Sequence, residues 1–183
     1  WNRVRIGGAL GGDHPEEVLI KGSIAIFSNS GGFTSTIAQY LSTEEWGTTT
    51  LISSGKDVYI HYAARDFAHA LKNDARTKAA VLYAEPGGYY EHGVDFGKPT
   101  VACVVGRWKS KLTRAVGHAG AMAGSGDRAE DKERWFMENF GVDGIFTPDN
   151  PIASAKGAVV INIAHIPAAL TAVMKLNGVA PDF

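Results

Sequence analysis

A histidine between glycines is the residue of this sequence best suited to covalent chemistry. His118 stands in the run Gly117-His118-Ala119-Gly120-Ala121. Small flanking residues let the backbone come close to the imidazole ring. One ring nitrogen can act as a nucleophile while a hydrogen bond orients the other. The alternative, a histidine that only fills the core, would more often lie inside an apolar helix or strand. The pattern favours a catalytic His118, with Gly117, Ala119 and Gly120 near the group it binds.

The segment 28–34, SNSGGFT, has the composition of an anion site. Gly31 and Gly32 let backbone N–H groups approach an anion, and the helix predicted to follow adds the positive end of its dipole. The alternative is a tight turn with an N-cap serine. No lysine follows the glycines, as a Walker loop requires, and Ser28 stands where a nucleophile elbow needs glycine. The predicted anion-binding residues are Ser28, Asn29, Ser30, Gly31, Gly32 and Thr34.

A carboxylate is the third candidate. Glu85 ends an apolar run and precedes Pro86-Gly87-Gly88. It can accept a hydrogen bond from an imidazole N–H and fix the tautomer of the ring. The alternative is a solvated glutamate at the end of a strand.

Other polar residues give weaker signals. The basic run Arg107, Lys109, Lys111 and Arg114, beside Trp108, either pairs with a phosphate or forms a solvated loop. The remaining histidines considered as metal ligands are scattered, and no two of them have the helical spacing of a ligand pair, so no metal site is predicted. They are His61, His69, His92 and His165.

Strand and helix patterns alternate along the chain and must position these residues. Apolar or β-branched runs predict strands at 23–27, 48–52, 79–84, 100–105 and 144–146. Helical spacing predicts helices at 33–41, 62–71, 128–140 and 163–176, with Pro167 in the first turn of the last. This order predicts a parallel sheet of about five strands covered by helices on both faces. Ligands bind beyond the carboxyl ends of such strands, and the turns after the predicted strands share that edge.

Composition narrows the possible partners. The 183 residues are 45% hydrophobic and 20% charged, with a net charge of −1, which suits one compact domain. That charge disfavours nucleic acid or a membrane surface as a partner. No apolar stretch approaches the roughly 20 residues that span a bilayer. The one cysteine, Cys103, is expected to be a buried small hydrophobe in a reducing cytoplasm.

In their order along the chain, the turn from Ser28, the strand end at Glu85 and the loop around His118 resemble motifs of the succinyl-CoA synthetase alpha subunit superfamily. Its members include malate-CoA ligase, citryl-CoA synthetase, ATP-citrate lyase and ADP-forming acetyl-CoA synthetase. The family's Ser-x-Ser-Gly turn is similar to the turn from Ser28, with Asn29 where arginine is common. Its Gly-Glu-Ile-Gly-Gly strand end is similar to Ala84-Glu85-Pro86-Gly87-Gly88, and its Gly-His-Ala-Gly-Ala loop stands intact at 117–121.

The resemblance implies a flavodoxin-like α/β/α fold and a ligase that forms ADP or GDP. His118 would carry a phosphoryl group from ATP or GTP to a small carboxylic acid, with Glu85 as its partner. CoA, nucleotide and Mg²⁺ would be substrates of the whole enzyme, and this domain would hold no cofactor of its own.

The resemblance also implies parts outside this segment. No Gly-x-Gly-x-x-Gly follows a strand, so the CoA-binding Rossmann domain is expected elsewhere, as is an ATP-grasp subunit or domain. Residues 1–22 are predicted to be a connector from that Rossmann domain, and 23–183 the ligase domain. The isolated domain is expected to be inactive, in the cytoplasm or, in a eukaryote, the mitochondrial matrix.

Two alternatives from other classes remain open. One is a flavodoxin-like FMN-binding electron carrier, with the phosphate at 28–34 and Trp108 or Tyr89 against the flavin. The other is a non-catalytic phospho-acceptor or assembly module.

Overall fold

Five parallel strands form one sheet. A computed structural model describes residues 19–55, 60–88, 90–114 and 126–183. The strands are β1 (Lys21–Ser28), β2 (Thr48–Ser53), β3 (Ala79–Ala84), β4 (Thr100–Val104) and β5 (Gly157–Val160). They lie in the order β2-β1-β3-β4-β5, which is the flavodoxin-like order of a doubly wound sheet. The predicted fold class is confirmed.

Four helices cover the sheet. They are α1 (Gly31–Ser42), α2 (Ala64–Asn73), α3 (Ala129–Phe140) and α4 (Ile166–Leu176). Two 3₁₀ turns, Arg107–Lys111 and Ile163–His165, also lie at the ends of strands or helices. The four predicted helices are confirmed to within a few residues, and Pro167 lies in the first turn of α4, where its missing N–H costs no hydrogen bond.

The core lies on both faces of the sheet because the central strands are apolar on both sides. On β3, Val81 and Tyr83 face α1 and α4, whereas Ala80 and Leu82 face α2 and α3. This alternation follows from the two-residue period of a strand. Cys103 on β4 is fully buried in the first of these layers, as its apolar surroundings predicted.

The fifth strand lies later in the chain than predicted. Residues 144–146 form no strand: the Phe146 N–H donates to the carbonyl of Val159 (2.7 Å), and the chain then turns at Thr147–Asn150. The edge strand is Gly157–Val160, which pairs with Thr100–Cys103 and is buried along its whole length. Only the three residues 144–146 precede this turn, and they are too few to add a strand to the sheet.

The strand order creates a crevice between β1 and β3. The chain leaves β1 for β2 on one side and then crosses back over β1 to β3 on the other. Ligands of doubly wound sheets bind at such a reversal. The turns that meet there follow Ser28 and Ala84, and both contain residues predicted to act. Among the described residues, no helix is long and apolar enough to cross a bilayer.

Candidate active site

Asn29 joins the turns at the crevice. Its side-chain oxygen accepts a hydrogen bond from the Glu85 backbone N–H (3.0 Å), and its amide group donates to Ser54 Oγ (3.1 Å). Its own backbone N–H donates to the carbonyl of Tyr83 (3.0 Å). Asn29 is almost completely buried, so these bonds replace those it would make to water. The carboxyl ends of β1, β2 and β3 are thereby fixed relative to one another.

The first turn of α1 presents unused donors. Within the described part of the chain, no group accepts from the N–H of Gly31, Gly32 or Phe33, and the first bond of the helix runs from Thr34 N–H to the Ser30 carbonyl (3.0 Å). Ser30 is the N-cap but makes no side-chain cap. A Cβ atom at Gly32 would meet nothing within 4 Å. This helix end is therefore open and carries the positive end of the dipole.

The hydroxyl groups of two predicted anion-binding residues make hydrogen bonds within the turn. The Ser28 hydroxyl donates to the Ser30 carbonyl (2.7 Å) and accepts from the Ser30 N–H (3.0 Å). The Thr34 hydroxyl donates to the same carbonyl (2.7 Å). Both residues are fully buried, so their hydroxyls shape the turn that presents the N–H groups. Their direct contact with an anion stays a prediction.

Glu85 forms a buried ion pair with a lysine from the basic run. Lys109 Nζ lies 3.2 Å from Glu85 Oε2, and the two side chains are only 8% and 9% exposed. Glu85 is therefore not a solvated strand-end charge. The sequence alone did not pair these residues, which are 24 positions apart. The sequence feature that could have indicated the pair is that Lys109 follows β4, which ends at the same edge of the sheet as the strand before Glu85.

The 3₁₀ turn that carries Lys109 is fixed at its beginning. Gly106 precedes it with φ of +91°, a conformation that favours glycine. Arg107 makes two hydrogen bonds to Glu133 on α3, of 2.8 and 2.6 Å. Two members of the predicted basic run thus make ion pairs within the fold, while Lys111 and Arg114 are exposed.

A second buried lysine holds the chain after Glu85. Lys132 on α3 is fully buried, and its Nζ lies 2.7 Å from Glu91 Oε2 and 3.7 Å from Asp127 Oδ1. It also donates to the Gly88 carbonyl (2.9 Å). A buried cation is stable only when it is paired and hydrogen-bonded. These contacts join the turn after β3 to α3.

A cavity of about 730 Å³ opens beyond the carboxyl ends of β3, β4 and β5. Its walls are mostly apolar and include Phe33, Tyr83, Trp108, Ile161 and Ile163; Glu85, Lys109, Asn162 and His165 supply its main polar groups. Its size is within the range of small-molecule pockets.

Tyr83 forms one wall of this cavity as a neutral phenol. Phe33 stacks on its ring with centroids 4.9 Å apart. Burial, reinforced by the nearby charge of Glu85, raises the pKa of the Tyr83 hydroxyl above its usual value. The tyrosine is therefore not available as an anion at neutral pH.

The remaining candidate residues lie in different places. His118 and its neighbours Gly117, Ala119 and Gly120 lie outside the described residues, as does Tyr89. Of the other histidines, His165 lines the cavity, and His92 lies against Trp135 with ring centroids 4.4 Å apart. The described residues contain no group of three or more histidine, cysteine, aspartate or glutamate side chains that could hold a metal ion.

Sequence comparisons place this architecture among known CoA ligases. A family model described as a succinyl-CoA ligase like flavodoxin domain matches residues 21–132. An ADP-forming sulfoacetate-CoA ligase subunit from Acholeplasma is 31% identical over 69% of this chain and 45% of its own length. A succinate-CoA ligase alpha subunit from Archaeoglobus fulgidus is 32% identical over 64% of this chain and 42% of its own length. The chain therefore matches less than half of each relative.

Solved structures share the fold. The ATP citrate lyase of Methanothrix soehngenii, in complex with citrate and coenzyme A, has a TM-score of 0.64 at 23% identity. The match covers 72% of this chain and 24% of the lyase chain. At that identity the likeness supports the fold alone.

Proposed function

This chain belongs to the family of succinyl-CoA ligase like flavodoxin domains, and from that premise we propose that it is the phosphohistidine-bearing domain of an ADP- or GDP-forming acyl-CoA synthetase. His118 is the phosphoryl carrier and Glu85 its orienting partner. The whole enzyme converts a carboxylic acid, CoA and a nucleoside triphosphate into a thioester, phosphate and a nucleoside diphosphate.

The observation that carries this proposal is the bond between Asn29 and Glu85 across the crevice. It joins the backbone of Glu85 to the turn that precedes α1, and the first turn of this helix has three backbone N–H groups without an acceptor among the described residues. A dianionic phosphate in an apolar site is strongly disfavoured, and a helix N-terminus provides the compensating field. The family match spans this crevice and also the histidine loop.

The first chemical step forms phosphohistidine. A neutral nitrogen of His118 attacks the γ-phosphorus of ATP or GTP, the bond from that phosphorus to the β-phosphate oxygen breaks, and the nucleoside diphosphate leaves. The second nitrogen keeps its proton as the P–N bond forms, so the ring of the phosphohistidine is cationic and becomes a neutral imidazole again when that bond breaks. Glu85 accepts a hydrogen bond from the second nitrogen, which keeps the attacking nitrogen unprotonated and directed at phosphorus.

Two further steps consume the phosphoryl group. A carboxylate oxygen of the acid attacks phosphorus, the P–N bond breaks, and the electron pair returns to the imidazole; the product is an acyl phosphate. The CoA sulfur then attacks the acyl carbon, and the C–O bond to phosphate breaks. The thiol proton passes to solvent or to the released phosphate. The first turn of α1 stabilises charge on the phosphoryl oxygens in each step.

The remaining parts of this reaction belong to partners. We assign nucleotide and Mg²⁺ to an ATP-grasp subunit or domain, and CoA to a Rossmann domain joined through residues 1–22. The isolated chain then makes no thioester, and the assembled enzyme works in the cytoplasm or mitochondrial matrix.

Phosphate lability tests the carrier role. The assembled enzyme, incubated with ATP labelled at the γ-phosphate, should acquire an acid-labile, base-stable phosphate, as expected of a phosphoramidate. His118→Asn should abolish this label and thioester synthesis, whereas His69→Asn, at an exposed position on α2, should leave both intact. A His118→Asn enzyme that still gains the label and makes thioester would contradict the proposal.

A further inference from the structure

We infer that Lys132, a buried lysine near the beginning of α3, is a positioning residue for Glu85 in the proposed reaction. It acts through the turn that follows β3, which it holds against α3 together with Glu91 and Asp127. The inference rests on the proposed function for its consequence in the reaction. The positioning itself can be measured on the chain without the reaction.

Three consecutive charged residues near the beginning of α3 are buried. Asp131, Lys132 and Glu133 are only 4%, 0% and 4% exposed, although charged side chains are rarely buried to this extent. Asp131 accepts from the N-cap backbone N–H (3.1 Å) and so caps its own helix. Glu133 pairs with Arg107 in the 3₁₀ turn after β4, and Lys132 contacts the turn after β3. One end of α3 therefore contacts both of the turns that carry the candidate ion pair.

The turn after β3 depends on backbone hydrogen bonds for its position. Gly87 and Gly88 have φ of +92° and +76° and no side chain that could pack against a neighbour. The Gly87 N–H donates to the Asp127 carbonyl (3.1 Å), and the Gly88 carbonyl accepts from Lys132 Nζ (2.9 Å). The backbone N–H of Glu85 is bonded to the turn after β1. The carboxylate is therefore carried by a segment that is fixed from β1 on one side and from α3 on the other.

The ammonium group of Lys132 joins this turn to two carboxylates. Its Nζ lies 2.7 Å from Glu91 Oε2 and 3.7 Å from Asp127 Oδ1, and Glu91 and Asp127 are each 4% exposed. Replacing a buried ion pair with apolar side chains often leaves stability unchanged or higher, so stability alone does not require this lysine. An apolar side chain, however, has no donor for the Gly88 carbonyl. The lysine therefore determines the geometry of the turn.

The place of Asp127 in the chain connects this geometry to the reaction. It lies shortly after His118 in the sequence, and its carbonyl is bonded to Gly87, close to Glu85. Lys132 thereby fixes the turn of the carboxylate against the point at which the histidine segment joins α3. Without the lysine this distance should vary, and the hydrogen bond that the imidazole donates to Glu85 forms only over a narrow range of distances.

Hydrogen exchange of the 183-residue chain tests the positioning. The double variant Lys132→Met with Glu91→Met removes both charges of the pair, so it should unfold at a higher urea concentration than Lys132→Met alone. Its Gly87 amide should exchange about tenfold faster relative to the Ala80 amide, because the bond to Asp127 is no longer held in place. Ala80 lies in β3 and donates to the Pro99 carbonyl (2.9 Å). A loss of global stability alone would accelerate both amides equally.

Phosphorylation of the assembled enzyme tests the consequence for the reaction. With ATP labelled at the γ-phosphate, the double variant should form phosphohistidine about tenfold more slowly at saturating ATP. The KM for ATP should change less than about threefold, since we assign the nucleotide to a partner. Leu71→Ala is the control for lost stability, because Leu71 is buried near the carboxyl end of α2. It should leave the rate within about twofold of the unaltered enzyme.

Different outcomes overturn the inference and the proposed function. An unchanged exchange ratio in the double variant would show that Lys132 does not hold the turn. A phosphorylation rate that the double variant leaves unchanged, or that Leu71→Ala lowers as much, would show that the turn does not position Glu85. If the unaltered enzyme forms no phosphohistidine, the proposed function fails, and the exchange ratio still decides whether Lys132 holds the turn. If the double variant does not fold, Glu91→Gln decides the same points, since it removes one charge and keeps the shape of the side chain.

Discussion

Gly106 lies directly against Pro86, so that a Cβ atom at Gly106 would be 2.7 Å from the Pro86 Cδ atom. The contact joins the turn after β4 to the turn after β3. Each turn carries one member of the Glu85–Lys109 ion pair. The ion pair is therefore supported by a backbone approach that only glycine permits.

We expect Gly106→Ala to destabilise the fold by about 2–4 kcal/mol, because a left-handed conformation and a steric clash add together. Gly141→Ala is the matched control: Gly141 has φ of +67° but no atom near its Cβ position, so it should cost only about 1 kcal/mol. Urea unfolding measures both. Equal losses would show that the contact with Pro86 contributes nothing.

Lys109→Met should lower the free energy of unfolding by about 3 kcal/mol, because it removes the ammonium partner of a buried carboxylate. Lys111→Met, two residues away and exposed, should stay within about 0.5 kcal/mol of the unaltered chain. The double variant Glu85→Gln with Lys109→Met should recover part of the loss. If Lys109→Met and Lys111→Met are equally stable, the ion pair makes no contribution.

Gly32→Asp should separate anion binding from stability. An aspartate in the first turn of α1 interacts favourably with the dipole, by about 0.5 kcal/mol, and Gly32 has open space for it. The same charge repels a phosphate, so the affinity for inorganic phosphate, followed by NMR at the amides of residues 31–33, should fall at least tenfold. Gly32→Asn has nearly the same shape without the charge and should bind phosphate more tightly than Gly32→Asp. Equal phosphate affinity in these two variants would argue against an anion site here.

The thiol of Cys103 should make stability depend on alkaline pH. Burial raises its pKa from 9.0 to about 12. Above about pH 9 the unfolded chain loses this proton, while the folded chain keeps it. Ionisation therefore stabilises the unfolded state, and the free energy of unfolding falls as pH rises through that window. The stability difference between the unaltered chain and Cys103→Ala should shrink by about 1 kcal/mol from pH 8 to pH 10. A constant difference would contradict the shifted pKa.

Several elements could be predicted because they depend on short stretches of sequence. The run Ala79–Ala84 is apolar throughout, which fits a strand buried on both faces, and the structure has this strand with the same bounds. The fifth strand could not be chosen this way. Gly157–Val160 is only four residues long, and its place depends on pairing with β4 rather than on its own pattern. Three apolar residues at 144–146 looked equally suitable.

The sequence by itself determined which edge of the sheet carries the candidate chemistry. Parallel strands end at one edge, so the turns after Ser28 and Ala84 had to meet there once strands and helices alternated. Only the tertiary structure decided that Lys109 pairs with Glu85 and that Phe33, Trp108 and Ile161 share one cavity. Local patterns depend on neighbours within a few residues. An ion pair across 24 residues and a cavity between three elements depend on how those elements pack.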